Sequence, residues 1–599
     1  MPIERTGRWM SWGPELALAV VASLAFLGCL GSTELWGRRE QRAAAEAVDT
    51  VAHGHWLVGQ IQGRPRLEKP PLPRWITAGL MLATGRRDEV AVRLANALAA
   101  LAVVALVYGW GRAVGGRAVG LASGFALAAT PFFVVEMRQA GNDGMLTLFV
   151  ALALVAAARR WGIGRGDEAG PRIWNLVFCA SVGLGFLCKG PVIGLWVGVP
   201  ILGFLASRRR LKAGLRLLID GPGLVILAVL MLVWPALVVA RYPGAAGVWW
   251  LEMGQKTGVI GVEHGNARGS ILAEALGMTV PWTPLLLAAL VSPVRRWWWR
   301  RVEVPAEPPA LGLAWWWAFG PLAVLGTWDV AKPNYLLPAL PAVAVLAGAG
   351  WIELTRRARD AAHGISARWC LQVAWSALFA AAVVAPVVAH ELNPAWLVPT
   401  IAASLILAAS TLASARAWRL GRDSASLATL ASGLIAVGLL GYGAIAPTEN
   451  AARGHRALAA ELSRTLPPGT TAWFFDDLDE AVWFYGPNLN LQPVPPLTTI
   501  PPTNRGHTLR TSVTPGQGRA EATAARTRAA VDQLTAWADG AEPNASLLVR
   551  GKLLDRLGAA LPPRFAPVRR ETGVKRNELV LLRVRTAAEV AALPTSVRR

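Results

Sequence analysis

A short charged and proline-rich string, "LEKPPLPRW", contains residue types suited to group transfer at a phosphate. Glu68 and Lys69 stand directly before Pro70 and Pro71. Two consecutive prolines remove two backbone donors and fix two φ angles, so the string predicts a rigid turn. A carboxylate can act as a general base, and an ammonium group can stabilise charge on a phosphate. The turn is therefore expected to hold a carboxylate and a cation side by side.

Further polar residues interrupt the apolar sequence on both sides of this string. A structural role is open for some of them: Asp143 could cap its helix, and Lys189 could extend its ammonium group to the membrane surface. Charged groups within or beside apolar membrane-spanning segments are energetically costly and commonly mark a functional site. The candidates outside the string, in chain order, are Glu40, Arg42, Asp143, Lys189, His264, Lys332 and Tyr335.

The composition indicates a membrane protein. Of 599 residues, 54% are hydrophobic and 16% are charged, whereas about a quarter of the residues in a soluble domain are charged. The net charge of +22 could suggest a nucleic-acid partner. The arginines, however, cluster in short loops between apolar segments, as expected for loops on the cytoplasmic side. We therefore expect no nucleic-acid partner.

Apolar runs of transmembrane length recur along most of the chain. They predict a polytopic α-helical membrane protein with about thirteen transmembrane helices. The candidate spans are 14–32, 93–110, 118–134, 143–158, 173–187, 190–206, 222–240, 271–291, 310–327, 334–351, 369–389, 394–414 and 425–447.

The charge of the loops predicts the orientation of these spans. Arginine-rich loops such as "GRAVGGR" and "SRRRLKAGLR" alternate with loops such as "EMRQAGND" and "HELNP", which have one basic residue or none. The positive-inside rule then places the N-terminus in the cytoplasm. The protein is expected to lie in the plasma membrane, which is the inner membrane in a cell that has two membranes. An odd number of spans places residues 448–599, and all the candidate site residues, on the outer side.

The sequence predicts a transmembrane domain with a long first outer loop, followed by a separate C-terminal domain. Residues 1–447 form the transmembrane domain, within which residues 33–92 are the first outer loop with helices lying along the membrane. Residues 448–599 alternate strand-like runs, "TTAWFF", "ASLLVRG" and "ELVLLRVR", with helical segments. This alternation predicts a small α/β domain outside the cytoplasm.

The ordered set of motifs resembles the GT-C class of polyprenyl-phosphate-dependent glycosyltransferases. Within that class, the motifs are similar to those of the bacterial lipid A aminoarabinose transferases and the protein O-mannosyltransferases. Their motifs are similar, in the same order, to segments spread over about residues 14–350. The matching segments are Glu40 with Arg42, Glu68–Lys69–Pro70, Asp143, Lys189–Gly190–Pro191, His264, and Lys332 with Tyr335.

The resemblance implies that a sugar moves from an undecaprenyl-type phosphate to a lipid A, glycan or protein acceptor, with inversion at the anomeric carbon. It assigns donor-phosphate binding to the cations and to Tyr335, and acid–base work to the carboxylates. It implies no nucleotide cofactor. A divalent metal such as zinc, magnesium or manganese could bind Glu68 and His264. The donor-phosphate residues are Lys69, Arg42, Lys189, Lys332 and Tyr335, and the catalytic carboxylates are Glu40, Glu68 and Asp143.

One position departs from the family pattern. Where these enzymes have an Asp-Glu pair in the first outer loop, this chain has Arg39 before Glu40. The identity of the general base is therefore open between Glu40 and Asp143, with Glu34 as a third candidate. An anionic phosphate acceptor would need no base, and an arginine would suit such an acceptor.

A transporter or lipid flippase without transferase activity is the alternative. Such proteins place their polar sites near the middle of the bilayer and often have duplicated halves. The candidate residues here lie at the outer ends of the spans, and no repeat relates the two halves. The glycosyltransferase interpretation is favoured, while the sugar and the acceptor stay open.

Overall fold

A computed structural model describes residues 13–593 with several gaps. The segments outside the described residues are 1–12, 62–63, 164–168, 258, 260–268, 288, 291–308, 329–330, 361–363, 467–469, 476–477, 479, 487–488, 496–518, 572–577 and 594–599. The predicted site residue His264 lies in one of these segments.

Helices dominate the described chain up to residue 453. They are α1 Gly13–Leu27, α2 Arg38–His53, α3 Leu72–Thr84, α4 Glu89–Ala128, α5 Pro131–Met137, α6 Asn142–Arg160, α7 Ile173–Lys189, α8 Val192–Ser207, α9 Leu211–Leu218, α10 Gly221–Arg241, α11 Ala245–Thr257, α12 Ser270–Met278, α13 Pro309–Leu325, α14 Leu340–Arg357, α15 Ile365–Leu392, α16 Leu397–Arg419, α17 Asp423–Leu440 and α18 Asn450–Arg453. Some of them are connected by the 3-10 segments Pro333–Ala339, Pro394–Trp396 and Ala446–Glu449 and by the π-helical segment Gly441–Ile445.

Strands occur in two places. A hairpin of β1 Gln60–Ile61 and β2 Arg64–Pro65 follows α2. The remaining elements are α19 Arg456–Thr465, β3 Thr471–Phe474, α20 Ala481–Tyr485, β4 Asn490–Pro493, α21 Arg519–Gly540, β5 Ser546–Arg550, α22 Gly551–Leu557, β6 Phe565–Arg570, β7 Leu579–Val584 and α23 Ala587–Ala591.

The described helices confirm the polytopic membrane fold. Seven helical segments are long and apolar enough to cross a bilayer, and α1, α7, α8 and α13 are shorter apolar helices. The predicted spans 143–158, 173–187 and 190–206 correspond to α6, α7 and α8. The protein is therefore a multi-pass membrane protein.

The helical range α4 contains the predicted span 93–110 and most of the span 118–134, which continues into α5. The chain turns at Gly115 and Gly116, and Gly116 has a φ of 79°, which an L side chain rarely adopts. A Cβ placed on Gly111 would lie 2.9 Å from the Cα of Gly120. Two glycines at the turn and two at the contact thus let the halves of α4 fold back closely on each other.

The described residues form two compact units. The first unit comprises Met1–Ser32 and Leu67–Ala446, and the second comprises Thr33–Arg66 and Pro447–Arg599. Within the first unit, buried alanine, valine, leucine and tryptophan side chains form one continuous apolar core. Helix α2 and the β1–β2 hairpin belong to the second unit, although both precede nearly all the spans in the sequence.

The second unit contains a five-stranded mixed sheet with the order β4-β3-β5-β7-β6. Strand β3 pairs in parallel with both β4 and β5, and β7 pairs antiparallel with β5 and β6. The small α/β fold is confirmed, and the three predicted strands are β3, β5 and β7. The sequence analysis missed the edge strands β4 and β6. Both contain a proline, which sheets tolerate at edges and which weakens a strand signal.

Close packing of α14 against α4 gives a test of this fold. A Cβ placed on Gly348 would lie 2.5 Å from the backbone nitrogen of Ser123. We expect Gly348→Ala to destabilise the protein by about 1–3 kcal/mol, because the two helix backbones must separate. A lower thermal midpoint in detergent, measured by fluorescence-detected size exclusion, would report this loss.

Gly438→Ala is the matched control. Gly438 also lies inside a helix, α17, but a Cβ there has no neighbour within 4 Å. Alanine should raise or preserve the midpoint there, since it restricts the unfolded chain. Equal midpoints for the two variants would contradict the packing of α14 on α4.

Candidate site for a lipid-linked phosphate

The Glu-Lys-Pro turn leads directly into a helix of the first unit. Pro71 occupies the N-cap position of α3, and Pro73 lies in the first turn. A proline there removes no helical hydrogen bond, because the first backbone N–H groups of a helix have no partner within it. The indole Nε1 of Trp249 donates to the carbonyl oxygen of Leu67 at 2.7 Å. The residues before and after Glu68 and Lys69 are therefore fixed, as the predicted rigid turn requires.

Lys69 forms a charged group with two residues of α11. Its Nζ lies 2.7 Å from Oε1 of Glu252, and Nζ of Lys256 lies 2.6 Å from the same oxygen. Glu252 and Lys256 are four residues apart, so they share one helix face. One carboxylate thus holds two ammonium groups close together.

A second ion pair joins two of the predicted residues. Nζ of Lys189 contacts Oδ1 of Asp143, and both side chains are almost fully buried. Nδ2 of Asn334 donates to Oδ2 of Asp143 at 2.8 Å, and Nζ of Lys189 lies 4.1 Å from the ring centre of Tyr335. The structure therefore brings three of the predicted residues, Asp143, Lys189 and Tyr335, together.

Local backbone geometry explains why these residues meet. Gly190 ends α7 with a φ of 68°, and a Cβ placed there would lie 4.0 Å from Cγ of Pro70. The Lys-Gly-Pro turn therefore faces the Glu-Lys-Pro turn. Near Asp143, the amide of Asn96 donates to the carbonyl oxygens of Gln139 and Gly141. These bonds fix the loop that precedes α6.

The lysine cluster, defined here as Lys69, Lys189 and Lys256, is electrostatically strained. Burial and the positive charges of Lys69 and Lys189 lower the pKa of Lys256 to about 8, although Glu252 raises it. Burial raises the pKa of the Glu252 carboxyl, but Lys69 and Lys256 outweigh this effect and lower it to about 2. An anion bound at the cluster would relieve the repulsion between the ammonium groups.

The remaining predicted residues occupy different positions. Glu68 is half-buried beside Lys69, and Lys332 is exposed at the start of the Pro333–Ala339 segment. Glu40 and Arg42 lie on α2 in the second unit, where Glu40 is buried. The guanidinium Nε of Arg42 lies 2.7 Å from Oε1 of the buried Glu480. The phosphate-binding role of Arg42 and the catalytic role of Glu40 stay predictions.

The sequence analysis missed Glu252, Lys256 and Asn334. A signal for the first two was present in "WWLEMGQKTG". A Glu and a Lys four residues apart follow two tryptophans in the segment between the predicted spans 222–240 and 271–291, and that spacing places both charges on one helix face. Asn334 had no comparable signal, because its partner Asp143 is distant in sequence.

The neutral fraction of Lys256 gives a test of the cluster. Only a neutral amine reacts with an acylating reagent, so labelling of Lys256 should be half-maximal near pH 8. An ordinary lysine reaches this point near about pH 10.4. Pulse labelling of the purified protein across pH, read by mass spectrometry of the Lys256 peptide, measures the midpoint.

Two substitutions should move this midpoint in opposite directions. Glu252→Gln removes the carboxylate that favours the charged amine, so the midpoint should fall. Lys69→Met removes a repelling charge, so the midpoint should rise. Shifts of the same sign in both variants, or a midpoint near the ordinary lysine value in the unmodified protein, would refute the arrangement.

Comparisons with known proteins agree with the predicted family resemblance. Residues 68–238 match the family described as dolichyl-phosphate-mannose-protein mannosyltransferase. An undecaprenyl phosphate-alpha-4-amino-4-deoxy-L-arabinose arabinosyl transferase of Aeromonas hydrophila is 27% identical over 356 residues, which are 59% of this chain and 62% of that protein. A protein of the same name from Pseudomonas aeruginosa is 26% identical over 346 residues, which are 57% of this chain and 60% of that protein. The matches thus span less than two thirds of the length of these relatives.

A solved structure extends the similarity to the fold of nearly the whole chain. The crystal structure of ArnT from Cupriavidus metallidurans bound to undecaprenyl phosphate has a TM-score of 0.74 at 20% identity. It covers 97% of this chain and 98% of that one. The predicted resemblance is confirmed: in sequence and fold, this chain is similar to the GT-C glycosyltransferases, with the aminoarabinose transferases among them.

Proposed function

We propose that the protein is an integral-membrane glycosyltransferase that takes a sugar from an undecaprenyl-phosphate donor at the outer face of the inner, or plasma, membrane. The observation that carries this proposal is the lysine cluster. The half-buried Glu252 pairs with Lys69 and Lys256, and the buried Asp143 pairs with Lys189, all within an apolar helical unit. The similarity to arabinosyl transferases that act on a donor of this kind supports it.

The cations match the chemical need of the leaving group. When the bond between the anomeric carbon and the phosphate oxygen breaks, the polyprenyl phosphate departs with an added negative charge. It needs no proton, but positioned cations lower the barrier by stabilising that charge. Lys69 and Lys256 would turn from Glu252 toward the phosphate, and Lys189 beside Tyr335 would supply a third charge. Lys332 and Arg42 are proposed as further contacts to the donor.

The carboxylates bear on the choice of acceptor. Both oxygens of Asp143 are engaged, one by Lys189 and one by Asn334, and Arg39 replaces the first acid of the family's pair. A hydroxyl acceptor must lose a proton as it attacks and so needs a base. A phosphate acceptor is already an anion. We therefore propose an acceptor phosphate of the lipid A type, with inversion at the anomeric carbon.

Other roles follow from this proposal. Asp143 orients Lys189, and Glu68 orients the acceptor or the sugar beside Lys69. Glu40 is the base only if the acceptor is a hydroxyl. A divalent metal at Glu68 and His264 remains a prediction from the sequence, and the proposed sugar transfer does not depend on it. The donor is lipid-linked, so no nucleotide cofactor is required. The N-terminus is proposed to be cytoplasmic, and residues 448–599 to form the outer domain.

Substitutions in the lysine cluster test the donor site. We expect Lys69→Met and Lys256→Met each to reduce transfer about 10²–10³-fold, the range seen when one charge-stabilising donor is lost. Radiolabelled undecaprenyl-phosphate sugars and the purified protein in nanodiscs give the rates. Lys212→Met is the matched control, because Lys212 is an exposed lysine of α9 in the same unit. Rates for the cluster variants that equal the control would exclude this donor site.

The acceptor is tested by removing its charge. Lipid A bearing its phosphates should accept the sugar, while dephosphorylated lipid A and hydroxyl-bearing peptides should not. With the phosphate acceptor, Glu40→Gln should keep most of the activity, since no base is needed. Transfer to a hydroxyl acceptor that Glu40→Gln abolishes would overturn the phosphate acceptor and retain the glycosyltransferase. Movement of the lipid across the bilayer without transfer to any acceptor would instead favour a flippase.

A further inference from the structure

A cluster of two histidines and a carboxylate lies at the C-terminal end of α2, in the second unit. Ligand atoms of Asp49, His53 and His55 all lie within 4.8 Å of one another. Within the part of the chain that the structure describes, it is the one group of three or more such side chains at this spacing. We propose that Asp49, His53 and His55 bind a zinc ion.

The distances suit direct coordination. Nδ1 of His53 lies 3.2 Å from Oδ1 of Asp49, and Nδ1 of His55 lies 3.0 Å from both carboxylate oxygens. Ligand atoms of tetrahedral zinc, with bonds of about 2.0–2.2 Å, are themselves about 3.3 Å apart. The ligand atoms of the two histidines also lie within 4.8 Å of each other, so a modest side-chain movement would place three ligand atoms around one ion.

Local backbone structure creates this arrangement. Asp49 and His53 are four residues apart on α2 and so lie on one helix face. Gly54 ends α2 with a φ of 71°, a conformation open to glycine. The chain reverses there and returns His55 toward the last turn of the helix. The rings of His53 and His55 lie 5.8 Å apart at an angle of 30°.

Gln60 orients two of the ligands. Its backbone N–H donates to Oδ2 of Asp49 at 2.9 Å, which leaves Oδ1 for the metal. Its side-chain amide nitrogen lies 3.2 Å from Nε2 of His55. With zinc on Nδ1, Nε2 carries the proton, and a 180° rotation of the Gln60 amide would present its oxygen to accept that proton. Metal-binding histidines are commonly fixed by such a partner on the second ring nitrogen.

The donor set favours zinc over the hard cations. Imidazole suits zinc, whereas magnesium and calcium prefer sites made of oxygen ligands alone. His53 is exposed, and Asp49 and His55 are half-buried, so the site is open to solvent ions. Three protein ligands leave one position for water. The ion would tie the end of α2 to the β1–β2 hairpin, which is part of the same unit.

Zinc binding to the full-length protein tests this site. The protein is stripped with a chelator, exchanged into clean detergent buffer and titrated with ZnCl₂ in competition with a fluorescent zinc indicator. We expect one zinc to be lost in Asp49→Asn and in the double variant His53→Gln/His55→Gln. Gln60→Ala should weaken binding by about tenfold, as expected for a residue that only orients a ligand.

Two control variants distinguish zinc binding at this site from zinc binding at other histidines. His390→Gln alters an exposed histidine at the end of α15 and should bind zinc as the unmodified protein does. His264→Gln tests the other proposed metal pair and should leave the zinc at Asp49 in place. Unchanged stoichiometry and affinity in His53→Gln/His55→Gln, or no zinc binding by the unmodified protein, would overturn the proposal.

Chemical modification gives a readout that does not depend on metal content. Zinc should protect His53 and His55 from diethylpyrocarbonate, while His390 reacts equally with and without the ion. Peptide mass spectrometry identifies each modified ring. Equal modification of all three histidines in the presence of zinc would contradict coordination.

Discussion

The structure around the candidate site depends on how positive charges are held together against their repulsion. Lys69 and Lys256 share one oxygen of Glu252, and Lys189 is paired with Asp143 in a buried position. Breaking one partner of a buried pair leaves an uncompensated charge, which is strongly destabilising. The carboxylates therefore determine which way the ammonium groups point. Burial and then the charges of Lys69 and Lys189 lower the pKa of Lys256, and a bound phosphate would offset that repulsion.

The scaffold must hold two tight turns against each other for this charge arrangement to exist. The double proline sets the direction of the first turn, and Gly190 supplies the backbone conformation that the second turn needs. Elsewhere in the same unit, glycines allow close approach of helices, as at the folded-back halves of α4 and at Gly348. The rigidity of the apolar helices thus fixes the positions of a few charged side chains.

The second unit joins segments that are distant in the sequence. Helix α2 packs with residues of the C-terminal part: Nε of Arg42 pairs with Glu480, and the backbone N–H of Leu35 donates to the hydroxyl of Tyr485 at 2.9 Å. The family motif that starts at Glu40 is therefore built on an element stabilised by contacts made about 440 residues later. Such contacts leave no periodic pattern in either segment.

By itself, the sequence determined the membrane class, most of the helices, the three central strands of the sheet, and the order of the motifs. Each of these is encoded locally, by apolar length, residue alternation or turn chemistry. Only the tertiary structure decided that Glu252, Lys256 and Asn334 join the site, that Arg42 is paired with Glu480, and that residues 33–66 cluster with residues 447–599. These contacts join charged side chains and helices that are far apart in the chain. The edge strands β4 and β6 likewise form only because a neighbouring strand pairs with them. The physical reason is that a side chain's partner is set by three-dimensional packing, which local propensity does not specify.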